Sequence, residues 1–62
     1  MFIQLTNTDD GKSFWLSADH ILTIHAGSAK DSIIVMTTGQ QWTVFESVES
    51  IIALIDERAA DH

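Results

Sequence analysis

Apolar and polar positions alternate in short blocks over the first three-quarters of the chain and then switch to a helical period. Phe2 to Thr6 alternates β-prone residues and predicts a first strand. Ser13 to Ser17 predicts a second, with Phe14 and Leu16 on one face and Trp15 on the other. Between them, Asn7-Thr8-Asp9-Asp10-Gly11-Lys12 carries Asp-Gly, a hairpin signal. After a break at Ala18-Asp19-His20, Ile21 to Ala26 predicts a third strand, with Leu22 and Ile24 together and Thr23 and His25 opposite. Gly27 to Asp31 is a polar turn, Ser32 to Thr37 a β-branched fourth strand, Thr38-Gly39-Gln40 a tight turn and Gln41 to Phe45 a fifth strand.

Beyond Phe45 the period becomes 3.6. Val48, Ile51, Ile52, Ile55 and Ala59 form one apolar stripe, widened by Leu54. Ser47 is placed as an N-cap, because its hydroxyl can accept from a free backbone N–H of the first turn. Glu46 and Glu49 suit the positive end of the helix dipole and Arg58 the negative end. The last residues, Ala59-Ala60-Asp61-His62, hold no Gly or Pro stop and are expected to fray. The order β-β-β-β-β-α with short connections predicts one mainly β domain over residues 1–62. Its architecture would be an antiparallel, twisted sheet or open barrel of about five strands with one C-terminal helix against it.

Assigning faces leaves a surplus of apolar residues. A helix covering one sheet face needs one apolar set, and Ile3, Leu5, Phe14, Leu16, Leu22, Ile24, Ile33, Val35, Trp42 and Val44 supply it. Phe2, Trp15, Ile21, Ile34, Met36 and Phe45 then point elsewhere. Large side chains in that number on so small a surface imply a closed barrel or a second chain, and the second chain is the preferred expectation. Phe2, Trp15, Ile34 and Met36 are its interface candidates. A one-residue register error would move a whole strand's set to the other face.

Length sharpens this expectation. A chain of 62 residues buries only about 60% of the surface it exposes when unfolded, so an oligomer, most simply a homodimer, would supply missing stability. Cysteine is absent, which removes disulfides and thiolate zinc sites and fits a cytoplasmic protein. The net charge is −6, from nine acidic and three basic residues. Lys12, Lys30 and Arg58 are too few to neutralise a phosphate backbone, which argues against nucleic acid and anionic membranes as partners. No basic segment precedes an apolar run at the N-terminus, and no apolar stretch approaches a membrane span, so neither a signal peptide nor a transmembrane helix is expected. Glu49, Asp56 and Glu57 on the helix are candidates for docking a basic protein partner.

The side chains capable of chemistry fall into turns. Ser17, Asp19 and His20 are the right types for a triad, but they adjoin in sequence, where a triad needs convergence in folded space. His20 and His25 are five apart, which in an extended chain puts them on opposite faces, so they do not share a metal. Asp9 and Asp10 before Gly11 lack the further oxygen ligands of a calcium loop. No catalytic, cofactor-binding or metal residue is expected, and the chain reads as a non-enzyme.

Several stretches taken together resemble the FlbD/SwrD family of small bacterial flagellar and swarming-motility proteins. They are the opening Met1-Phe2-Ile3-Gln4-Leu5-Thr6, the run Phe14-Trp15-Leu16-Ser17-Ala18-Asp19-His20-Ile21, then Thr38-Gly39-Gln40, and Val44-Phe45-Glu46-Ser47-Val48-Glu49-Ser50-Ile51-Ile52. The chain departs from that family in its acidity, in Phe45 where a lysine is usual, and in Trp15 and Trp42. The resemblance implies a small protein-interaction module of the flagellar or swarming kind, and brings no catalytic or ligand residue with it. The other expectation kept open is a small acidic inhibitor of the phage-encoded kind that binds a host protein. The element order is also similar to that of carbon-storage-regulator RNA-binding dimers. Those depend on arginines at places where this chain reads Leu5-Thr6-Asn7 and Val44-Phe45-Glu46.

Overall fold

The computed structural model describes residues 1–60. Its strands are β1 (Phe2–Thr6), β2 (Ser13–Ser17), β3 (Ile21–Ala26), β4 (Ser32–Met36) and β5 (Gln41–Val44), followed by one helix, α1 (Val48–Ala60). A 3-10 turn, Ala18–His20, separates β2 from β3. The fraying expected at Asp61 and His62 lies outside the described residues.

The strands form two antiparallel sheets, β1-β2 and β3-β4-β5, where a single five-stranded sheet was expected. The reason lies at the β1–β5 junction. Asn7 pairs with Val44 in one isolated bridge, flanked by Thr8 N–H to the Thr43 carbonyl and Phe45 N–H to the Thr6 carbonyl, each 3.0 Å. The next bond in that ladder would run from Thr6 N–H to the carbonyl of Phe45. Instead the Glu46 carboxylate accepts it at 2.9 Å and also accepts the Thr6 hydroxyl at 3.0 Å. The chain has already turned toward α1, so β5 is too short to run beside β1.

The turns form as their residues dictate. In the β1–β2 connection, the Asn7 side-chain oxygen accepts from Asp9 N–H at 2.9 Å and that of Asp10 from Lys12 N–H at 3.0 Å. Gly11 follows at φ 70°, a conformation a Cβ disfavours. At the β3–β4 turn the constraint is space, since a Cβ on Gly27 would collide with the Asp31 carboxylate. The expected cap is present: Ser50 N–H donates to Ser47 Oγ at 3.2 Å, and Ile51 N–H closes the first turn on the Ser47 carbonyl at 3.0 Å.

The core consists of Ile3, Leu5, Leu16, Ile34, Met36, Val44 and Ile51, with Phe14, Ile24, Trp42, Leu54 and Ile55 packed against it. Phe14 and Trp42 join the two sheets, ring centroids 5.1 Å apart. Three face assignments are corrected. On β4, Ile34 and Met36 point inward, and Ile33 and Val35 are the half-buried outer pair. Ile34 and Met36 are therefore core residues of this chain, not free interface residues. A strand apolar on both faces offers no alternation to fix its register. On β3, a bulge between Ile21 and Thr23 shifts the pairing, turning Ile21 and Ile24 inward and leaving Leu22 64% exposed. On α1, Ile51 is fully buried between half-buried Val48, Leu54 and Ile55, while Ile52 and Ala59 are exposed. The apolar stripe is wider than the two small sheets can cover.

Candidate interaction surface

The outer face of the β1–β2 hairpin follows from its register. Phe2 pairs with Ser17, Gln4 with Trp15 and Thr6 with Ser13, while the intervening Ile3–Leu16 and Leu5–Phe14 pairs turn toward the core. Phe2 and Trp15 are thus diagonal neighbours on one face, 59% and 57% exposed. Phe45 belongs to the same face. Its N–H donates to the Thr6 carbonyl, and residues opposite each other in a ladder share a side. Leu22 and Ile52 are further exposed apolar side chains outside the hairpin.

Of the four interface candidates, the structure brings Phe2 and Trp15 together at the surface and puts Ile34 and Met36 inside. Three surface residues escape reasoning from sequence: Leu22, Phe45 and Ile52, the last of which the helical stripe places inside. Leu22 was counted in the core because a bulge has no composition signal. Phe45 belonged to the surplus set but was not chosen, although alternation from the inward Val44 points it outward.

Charge around this face is sparse. The Arg58 guanidinium lies 6.0 Å from the centroid of the Trp15 ring, within reach of a weak cation–π contact. The three docking candidates, Glu49, Asp56 and Glu57, are exposed on α1. Among the described residues the one salt bridge joins the Met1 ammonium to Asp19 at 2.8 Å. That hydrogen bond and its charge hold the Asp19 carboxyl below its ordinary value. Asp19 is therefore engaged at the chain's N-terminus, and His25 meets Thr23 Oγ1 at 2.9 Å. A cleft of about 270 Å³ lies between the β3–β4 turn and the start of α1, with Lys30, Asp31 and Glu49 in its lining. Two carboxylates against one ammonium give it no bias toward an anion. Among the described residues no group of His, Asp or Glu is arranged to hold a metal, and no helix is long and apolar enough to cross a membrane.

A family model for flagellar and swarming motility proteins, FlbD, matches residues 2–61. The chain belongs to this family. No curated protein and no solved structure matches it. The match spans both sheets and α1. The family's description names motility and no reaction.

Proposed function

We propose that this FlbD-family protein is a non-enzymatic protein-interaction module that acts as a homo-oligomer, most simply a dimer, through the outer face of its β1–β2 hairpin. The observation that carries this reading is the pair Phe2 and Trp15, each more than half exposed and adjacent on one sheet face, which Phe45 shares across from Thr6. Aromatic side chains are enriched where protein surfaces meet, because they bury much area for little lost rotamer freedom. The outer residues Ser13, Ser17, Gln4 and Thr6 around them are uncharged, which suits contact between two copies of an acidic chain.

The test is absolute mass by light scattering over about a hundredfold range of concentration, with Trp15→Ser and Phe2→Ser beside the parent. The expected outcome is an oligomeric parent and variants shifted toward monomer by about tenfold or more in dissociation constant, the equivalent of roughly 1.4 kcal/mol. A parent that stays monomeric throughout defeats the reading.

A second reading rests on a different observation: Glu49, Asp56 and Glu57 are exposed on α1 and have no ion-pair partner among the described residues. They would dock a basic protein surface, as an acidic inhibitor does. Calorimetric titration with a lysine-rich amphipathic peptide tests it. Binding should weaken with salt and with a Gln substitution at all three positions, and salt-independent binding or none at all would count against it.

A further inference from the structure

The outermost strand on the hairpin side has an unpaired backbone edge. In the β1–β2 register, Leu5–Phe14 and Ile3–Leu16 exchange the ladder hydrogen bonds, as the flanking bonds Asn7 N–H to Lys12 carbonyl and Ala18 N–H to Met1 carbonyl require. The backbone groups of Ser13, Trp15 and Ser17 therefore point away from β1. Among the described residues neither Ser13 nor Trp15 finds a backbone or side-chain partner on that side, and both are exposed. Such an edge is a template for another strand unless it is blunted by charge, proline or a bulge. β3, the outer strand of the other sheet, carries a bulge. Within β2 there is none of these: Ser13-Phe14-Trp15-Leu16-Ser17 is regular and uncharged, and the cation nearby is Arg58 of α1 over the Trp15 ring.

Its sequence is also self-complementary. Read from either end it is serine, large apolar, tryptophan, large apolar, serine. An antiparallel partner centred on Trp15 would set Ser13 against Ser17, Phe14 against Leu16 and Trp15 against Trp15, which is the isologous match a twofold axis demands. In that register Lys12 comes within one position of the partner's Asp19, a carboxylate still 66% exposed, so the ends of the strip carry opposite charge.

We infer that the occupant of the β2 edge is a second copy of this chain, paired antiparallel β2 to β2 about a twofold axis at Trp15, joining the two hairpins into one four-stranded sheet. The two outer faces then become continuous, Phe2 and Trp15 of both copies lie on one side, and the rest of Phe14 is covered by the partner's Leu16. This assignment rests on the homo-oligomer proposed above but places its contact on the β2 edge, where Trp15 meets the partner's Trp15, and leaves Phe2 on the open face.

Engineered cysteines test the register in a chain that has none of its own. Opposed Ser13 and Ser17 would have Cα atoms ~5.5 Å apart, within disulfide reach, whereas Ser13 and the partner's Ser13 would be four residues or ~14 Å apart. Mixing Ser13→Cys with Ser17→Cys protein under mild oxidation should give a covalent dimer, and either variant alone should give little. A second variant, Ser13→Pro, removes an N–H that points to the free edge and none that bonds β1. It should weaken association about tenfold or more, with the hairpin's circular dichroism unchanged. If the parent is oligomeric but the mixed cysteines do not cross-link and Ser13→Pro assembles normally, the β2 edge is wrong while the interaction reading stands. If the parent is monomeric, both fall. Loss of folding in Ser13→Pro leaves the cross-link to decide.

Discussion

The two sheets use strands of similar length but hold their registers differently. In β1-β2 the sequence alternates: Ile3, Leu5, Phe14 and Leu16 face the core, and Gln4, Thr6, Ser13 and Ser17 face out with Phe2 and Trp15. A shift of one residue would exchange the sets, so pattern alone fixes this register. In β3-β4-β5 the central strand is apolar on both faces, and its register is held by individual contacts. Buried Ser32 donates its hydroxyl to the Glu46 carbonyl at 2.7 Å, Thr37 N–H reaches the His20 carbonyl at 2.8 Å, and the bulge at Ile21/Thr23 absorbs one residue. A patterned sheet is robust to loss of any one polar contact; a pinned sheet is not.

The largest effect should come from cavities that separate the two faces of β4. Ile34→Ala empties a fully buried site and should destabilise by about 2–4 kcal/mol, enough to unfold a large fraction of so small a domain. Ile33→Ala, on the half-buried face, should cost about 1 kcal/mol or less. Urea denaturation of the two variants measures the gap, and equal losses would break the register described here.

Next in size is the junction. Glu46→Ala removes both bonds to Thr6 but leaves the backbone carbonyl that Ser32 uses. A loss of about 1–3 kcal/mol is expected, because the Thr6 N–H is left part-buried without its acceptor. Ser32→Ala should cost about 1 kcal/mol for the single hydroxyl bond. If β3-β4-β5 is pinned as argued, amide exchange should quicken in β4 and β5 of Ser32→Ala while β1-β2 keeps its protection.

The smallest effect belongs to Asp19, at the far end of the hairpin. Its carboxyl is held below the ordinary value by the Met1 ammonium, so the stabilisation is complete above the unfolded value near ~3.9 and is lost as pH falls through the lower folded value. Asp19→Asn should therefore lower stability slightly and evenly above about pH 4, leave it unchanged at the acid end, and so flatten the acid limb of the stability curve. Chemical denaturation between pH 2 and 7 reads both.

The same contrast explains how much of the molecule was legible beforehand. Every strand and the helix are where periodicity puts them, with ends moved by a residue on β4 and β5. The Ser47 cap and the Gly11 and Gly39 turns were also legible, because each needs a particular residue type at one place. What was not legible were the facts that depend on two distant segments: the division into two sheets, the inward turn of Ile34 and Met36, and the release of Leu22 by a bulge. Half of the interface candidates lie at the surface for this reason. Phe2 and Trp15 lie in the alternating sheet, and Ile34 and Met36 in the strand with no alternation to read.

The bonds from Thr6 to Glu46 span 40 residues, and this has a consequence during synthesis. At ~5–20 residues per second, the ribosome needs on the order of seconds to supply Glu46 after Thr6. Until Glu46 follows it out of the ribosome, the hairpin has the far edge of β1 unsatisfied, its core face without Ile34, Val44 or Ile51, and the β2 edge bare. The nascent hairpin is therefore exposed to mispairing along both edges, and the Glu46 junction ends the exposure of the β1 edge when it closes over Thr6.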